Sequence, residues 1–141
     1  LFRSLTDGRI NFALTMGEMG PDPTLVRVQS ENILQDVFAG EANGSQRNID
    51  VALKRIAEEG HGAFIYMTQP CAGLDIPQNI PIDDSSQCDL EPLKMDFRGY
   101  GLGAQILVGL GLRKIRLISS TMRKHVALDA YGLEIVEHLS L

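Results

Sequence analysis

The chain has 141 residues, with 13 lysines and arginines against 18 aspartates and glutamates, for a formal net charge of -5. That length can bury one hydrophobic core without disulfide staples, and the acidic balance argues against a nucleic-acid surface, which needs a concentrated positive field. No apolar run approaches the roughly 18 to 20 residues of a membrane span, so neither nucleic acid nor a membrane is expected as a partner.

Ile10–Met16 and residues 25–30 are short β-branched or alternating apolar runs, separated by Gly17, Gly20, Pro21 and Pro23, and they read as two strands around a loop. Residues 47–59 carry Ile49, Ala52, Leu53, Ile56 and Ala57 at helical spacing, and Gly60 supplies a left-handed stop. A strand is expected over residues 63–67. From 69 to 93 the pattern dissolves around Pro70, Pro77, Pro81 and Pro92, and an irregular loop of that length in a compact domain is usually functional. Residues 101–110 recover helical spacing through Leu102, Ile106 and Leu110, with Gly111 as the stop. A strand over 114–119, a helix over 122–131 behind Thr121 as its cap, and a strand over 133–139 complete the order. Strands and helices alternate irregularly, so the fold class is α+β, a mixed β-sheet with packed helices in a single domain over residues 1–141. The first residue is Leu1 rather than Met, and the expectation is a C-terminal piece of a longer chain.

Cys71 and Cys88 stand in no metal-binding or disulfide spacing and read as reduced thiols, which fits a cytoplasmic origin. His61, His125 and His138 each sit alone in sequence. Arg113, Lys114, Arg116, Arg123 and Lys124 crowd one stretch, either as a solvated face or as an anion-binding patch. The glycines of Gly99-x-Gly101-x-Gly103 lack the spacing of a phosphate loop and are expected to serve close packing at a helix start.

Residues 27–45 read RVQSENILQDVFAGEANGS. This resembles the zinc loop of GTP cyclohydrolase II, which runs R-V-H-S-E-C followed, after ten residues, by C-x-C. Arg27, Val28, Ser30, Glu31 and Asp36 fit that frame, and its three metal positions fall on Asn32, Asn43 and Ser45. Residues 96–107 (DFRGYGLGAQIL), 113–118 (RKIRLI) and 131–137 (YGLEIVE) resemble the family's D-x-R-D-Y-G-I-G-A-Q-I-L, R-K-I-R-L-L and Y-G-L-E-V-V-E. The resemblance implies a GTP cyclohydrolase II-like fold. It also implies nucleotide or anion contacts at Arg27, Ser30, Glu31, Ser119 and Lys124, a general base at Asp96, and at Arg98 an arginine directed at the α-phosphate.

Family members open the guanine imidazole ring with a zinc-activated water and release formate and pyrophosphate. Zinc of that kind is held by thiolates, which two amides and a hydroxyl do not replace, so no metal and no other cofactor is expected. The family's phosphate clamp R-Q-E-G-R-x-I-G-L appears here as TQPCAGL over residues 68–74, without its arginines, and the stretch leading to Asp96 is shorter than the family's. Asp96 and Arg98 read either as a retained active pair or as a cap and opening residue of the following helix.

The expected role is a catalytically degenerate domain that modulates or scaffolds a 3,4-dihydroxy-2-butanone 4-phosphate synthase domain of the same parent chain, in riboflavin biosynthesis. Residual metal-free conversion of GTP to GMP and pyrophosphate by Asp96 and Arg98, or sensing of a ligand through residues 69–93, are the alternatives. A weakly bound nucleotide or anion is an expected partner, and a homodimer is compatible with the sequence.

Overall fold

The computed structural model describes residues 1–38, 45–74, 97–119, 128 and 130–141. Six strands form one sheet in the spatial order β1-β2-β4-β3-β5-β6, where β1 is Phe2–Arg3, β2 Ile10–Met16, β3 Thr24–Ser30, β4 Gly62–Met67, β5 Lys114–Ile118 and β6 Glu134–Leu139. β1 and β2 run antiparallel to their neighbours, while β3, β4, β5 and β6 are mutually parallel. The sheet is therefore mixed, and with its helices the domain is α+β, as the alternation of elements indicated. Strands β2 and β3 are consecutive in sequence, yet β4 pairs between them.

Helix α1 (Ser45–Glu59) connects β3 to β4, and α2 (Phe97–Gly109) precedes β5. The two helices take opposite faces of the sheet because side chains alternate along each strand. Leu25, Phe64 and Ile118 point to the α1 face and pack with Ala52, Ile56, Ile49 and Leu53. Val26, Ala63, Ile65, Ile115 and Leu117 point the other way, against Ala104, Ile106 and Leu107 of α2. On β2, Phe12, Leu14 and Met16 are paired with Tyr66, Phe64 and Gly62 and share the α1 face, yet all three are exposed. Helix α1 thus covers the centre of the sheet and stops short of β2.

Gly60 ends α1 with φ +71°, its N–H bonded to the Ile56 carbonyl at 3.0 Å. Helix α2 starts at Phe97, four residues before the apolar spacing becomes visible at 101, and ends at Gly109. A Cβ added to Gly101 would lie 2.8 Å from the Tyr131 hydroxyl, so this glycine serves close packing, as its spacing suggested. At the lower end of the sheet, Arg116 on β5 joins Glu59 of α1 to Glu137 of β6, the latter at 2.6 Å.

Two short elements follow the central strands. Leu34–Phe38 forms a π-helical turn after β3, and Pro70–Gly73 forms a 3-10 turn after β4, at the start of the loop expected over 69–93. The rest of that loop from residue 75 lies outside the described residues, as does the helix expected over 122–131 except for Leu128, Ala130 and Tyr131.

Candidate functional site at the carboxyl ends of the parallel strands

Open sheets with parallel strands bind ligands in the crevice beyond the carboxyl ends of those strands. Here β3 ends at Ser30, β4 at Met67 and β5 at Ile118, and of the residues singled out in the sequence, Arg27 and Ser30 lie on β3, Glu31 directly after it and Ser119 directly after β5. Arg27 sits on β3 opposite Ile118 of β5, side chain on the α1 face. Its guanidinium donates to the Ile118 carbonyl at 3.2 Å, immediately before Ser119, and to Gln29 Oε1 at 2.6 Å. Ser119 is held by its own N–H on the Leu139 carbonyl at 2.9 Å. The Arg27 guanidinium thus reaches the end of β5, beside Ser119.

Arg27 is 9% exposed, and its Nε has no hydrogen-bond partner among the described residues. Burial disfavours the charged form, so the Arg27 guanidinium is held below its ordinary pKa. A buried guanidinium normally finds a carboxylate. The acid nearest along the bonded chain is Asp36, reached through Gln29, whose Nε2 makes a long 3.5 Å contact with Asp36 Oδ1.

Asp36, 7% exposed, is the centre of a second set of bonds. Its Oδ2 accepts the Asn32 N–H at 2.8 Å and the Tyr66 hydroxyl at 2.6 Å, and its own N–H donates to the Asn32 carbonyl at 2.7 Å. Tyr66 lies on β4, and its phenol is pushed up from its ordinary pKa by burial, then by the bond to Asp36 and the charges of Asp36 and Glu31. The Asn32 amide oxygen accepts the Gln35 N–H at 3.2 Å and so caps the π-helical turn.

Glu31 ties the end of β3 to the end of β4. Its N–H donates to the Met67 carbonyl at 2.8 Å, and its Oε2 accepts the Gln69 N–H at 2.9 Å. The 3-10 turn lies directly on this corner: a Cβ on Gly73, whose φ is +71°, would stand 1.9 Å from the Glu31 carbonyl oxygen. Ser30 is exposed at the rim.

Of the pair for which the resemblance implies a catalytic role, Arg98 is the second residue of α2, in its first turn, while Asp96 lies outside the described residues. Lys124 and Asn43 also lie outside them, and Ser45 is the first residue of α1. The other cations are engaged elsewhere: Arg113 donates to the Leu112 carbonyl at 2.8 Å, and Arg116, opposite Leu25, is ion-paired with Glu59 and Glu137. Sequence reasoning missed Gln29 and Tyr66. Gln29 stands where the family frame has His, and Tyr66 is the one residue of the GAFIYM strand that ends in a polar atom; those were the available signals. No helix among the described residues is long and apolar enough to cross a membrane.

The arrangement is that of a loop corner with a buried cation beneath it, suited to holding an anion or a polar ring at the strand ends. The family model for GTP cyclohydrolase II matches residues 1–140. Riboflavin biosynthesis protein RibBA of Chlorobium phaeovibrioides is 37% identical over 149 residues, covering 99% of this chain and 36% of its own length. The proteins of that name from Aquifex aeolicus and Bacillus subtilis are 36% and 33% identical, over 99% and 96% of this chain and 37% and 36% of theirs. The chain therefore spans little more than a third of the length of these relatives. With a full-length family match on a mixed sheet whose strand ends carry the R-V-x-S-E frame, this chain belongs to the GTP cyclohydrolase II family.

Proposed function

We propose that this chain is a GTP cyclohydrolase II-like domain of a riboflavin-biosynthesis protein that no longer carries out zinc-dependent ring opening. In this reading it serves a 3,4-dihydroxy-2-butanone 4-phosphate synthase domain of the same parent chain, as scaffold or modulator. The observation that carries the reading is the state of Asn32. Where the family frame has a metal-binding thiolate, this side chain is a neutral amide whose oxygen is engaged by the Gln35 N–H. Asn43 and Ser45, at the other two metal positions, supply no thiolate either. Zinc needs the negative charge and soft donors of thiolates in a site of this type, so the donor set does not fit the metal. The lost arginines of the clamp over residues 68–74 point the same way for the triphosphate, since arginine is the side chain best able to grip phosphate in a fork.

The test combines elemental analysis with a GTP assay on purified protein. The expected result is no stoichiometric zinc and no formate released from GTP. One zinc per chain after dialysis against a mild chelator, together with formate release, overturns the reading. A second reading is favoured by the retention of Asp96 and of Arg98 in the first turn of α2: metal-free cleavage of GTP to GMP and pyrophosphate. Pyrophosphate without formate, lost in Arg98→Ala while the fold persists, selects it.

A further inference from the structure

The Leu34–Phe38 turn is built the wrong way round for hydrophobic anchoring. Its buried residue is Asp36, and its apolar residues Leu34, Val37 and Phe38 are 56%, 56% and 72% exposed. Burial of apolar surface, the usual force that holds a turn on a sheet, therefore contributes little from these side chains. What fixes the turn is polar: the Asn32–Asp36 pair bonded in both directions, the Gln35 N–H on Asn32 Oδ1, and the Tyr66 hydroxyl reaching up from β4. A buried carboxylate persists only when donors surround it, and Asp36 has the Asn32 amide, the Tyr66 phenol and the Gln29 amide, with the Arg27 charge behind Gln29.

We infer that the Asp36 carboxylate, holding the Asn32 amide and the Tyr66 hydroxyl, anchors the loop after β3 to the sheet without a metal ion. The inference rests on the proposed loss of the zinc site. In a metal-bound loop, the residue at position 32 would be fixed through its side chain. Here it is fixed through its backbone N–H and carbonyl, both bonded to Asp36, while its side chain is turned to the Gln35 N–H. The loop is thus held through Asp36, a residue of the family frame, and the partner that joins it to the sheet is Tyr66. Asp36 is a positioning residue: it holds the loop that follows Glu31 against β4.

Native-state hydrogen exchange, read residue by residue on the purified protein, tests this. In the wild type, a chelator is expected to leave exchange at Asn32, Gln35 and Asp36 unchanged. Asp36→Ala is expected to speed exchange at Asn32 and Gln35 at least tenfold, while Val26 and Ile65 in the core strands keep their protection. Tyr66→Phe, which removes a single hydroxyl and keeps the strand intact, is expected to give a smaller acceleration at the same amides. Unchanged exchange in both variants, with no zinc bound, overturns the anchoring inference and leaves the metal-free reading standing. Bound zinc, with exchange at these amides speeded by the chelator, overturns both.

Discussion

Replacing Gly73 by alanine tests whether the 3-10 turn is seated against the end of β3. The added Cβ would lie 1.9 Å from the Glu31 carbonyl oxygen, 2.7 Å from its carbonyl carbon and 3.0 Å from Asn32 Cα. These are backbone atoms, so no rotamer change relieves the overlap. A normal carbon–oxygen contact is about 3.3 Å, and the turn must retreat by about 1.4 Å to reach it. A retreat of that size breaks the Gln69 N–H bond to Glu31 Oε2, at a cost of about 2 kcal/mol for a bond to a charged acceptor. The left-handed φ of +71° adds about 1 kcal/mol for any residue with a Cβ. The sum of about 3 kcal/mol corresponds to a Tm lowered by roughly 10 °C in a domain of this size. Gly60→Ala is the matched control, because Gly60 has the same φ of +71° and open space where its Cβ would go. It is expected to show the backbone cost alone, about 1 kcal/mol and a Tm lower by roughly 3 °C. Calorimetric melting of the two variants beside the wild type measures the difference. Equal losses in the two would refute the close approach of the turn to Glu31.

Stability should fall as pH rises above about 10. The Tyr66 phenol is raised in the folded state, so the unfolded chain gives up its proton first, and the contribution present below the unfolded pKa is lost as pH climbs towards the folded one, with a slope of up to about 1.4 kcal/mol per pH unit. Urea melts of Tyr66→Phe should show that alkaline slope flattened. At the acid end, Asp7 is held below its ordinary pKa by its hydrogen bond with Ser4 and then by Arg9, so its stabilisation is present above about pH 4 and fades as pH falls through the lowered value; Asp7→Ala should flatten the acid limb of the same melts. Arg116→Ala should cost about 1 kcal/mol, since Glu59 and Glu137 are both partly exposed and a surface network is worth little more, and the loss should shrink in high salt. On the proposed function, removing residues 1–141 from a parent chain that carries the synthase is expected to change its turnover, solubility or assembly state, whereas Asp96→Ala with Arg98→Ala leaves all three nearly unchanged; synthase assay and light scattering compare them.

The parts of the fold that were legible in the sequence are those whose information is local. Ile10–Met16 emerged with the expected bounds because its alternation ends at Gly17, whose φ is +77°, and α1 emerged because Ile49, Leu53 and Ile56 repeat at helical spacing ahead of Gly60. Helix α2 was read four residues short because Gly99 and Gly101 dilute its first turn, where packing against Tyr131 rather than propensity selects the residue. The insertion of β4 between β2 and β3 has no local signal at all, since pairing partners are chosen by burial across the sheet. At the site, the R-V-x-S-E frame put Arg27 within β3 and Glu31 just past its end. Their bonds to Ile118 and Gln69 join residues far apart in the chain, and no spacing in the sequence reports them.

The place of β3 in the sheet also decides the order in which the chain can assemble. Its neighbours are β4 and β5, and the Arg27 bond to Ile118 closes a span of 91 residues. No hairpin forms between β2 and β3, so apart from the two-residue β1 the sheet begins with pairings that cost substantial loop-closure entropy before they return contacts. During synthesis, β3, α1 and β4 emerge together and can associate as a crossover unit. Until Lys114–Ile118 follows, that unit presents the bare edge of β3, with Leu25 and Val26 on either face. A chain interrupted before residue 114 keeps this edge permanently open, which is the arrangement that recruits strands from other molecules.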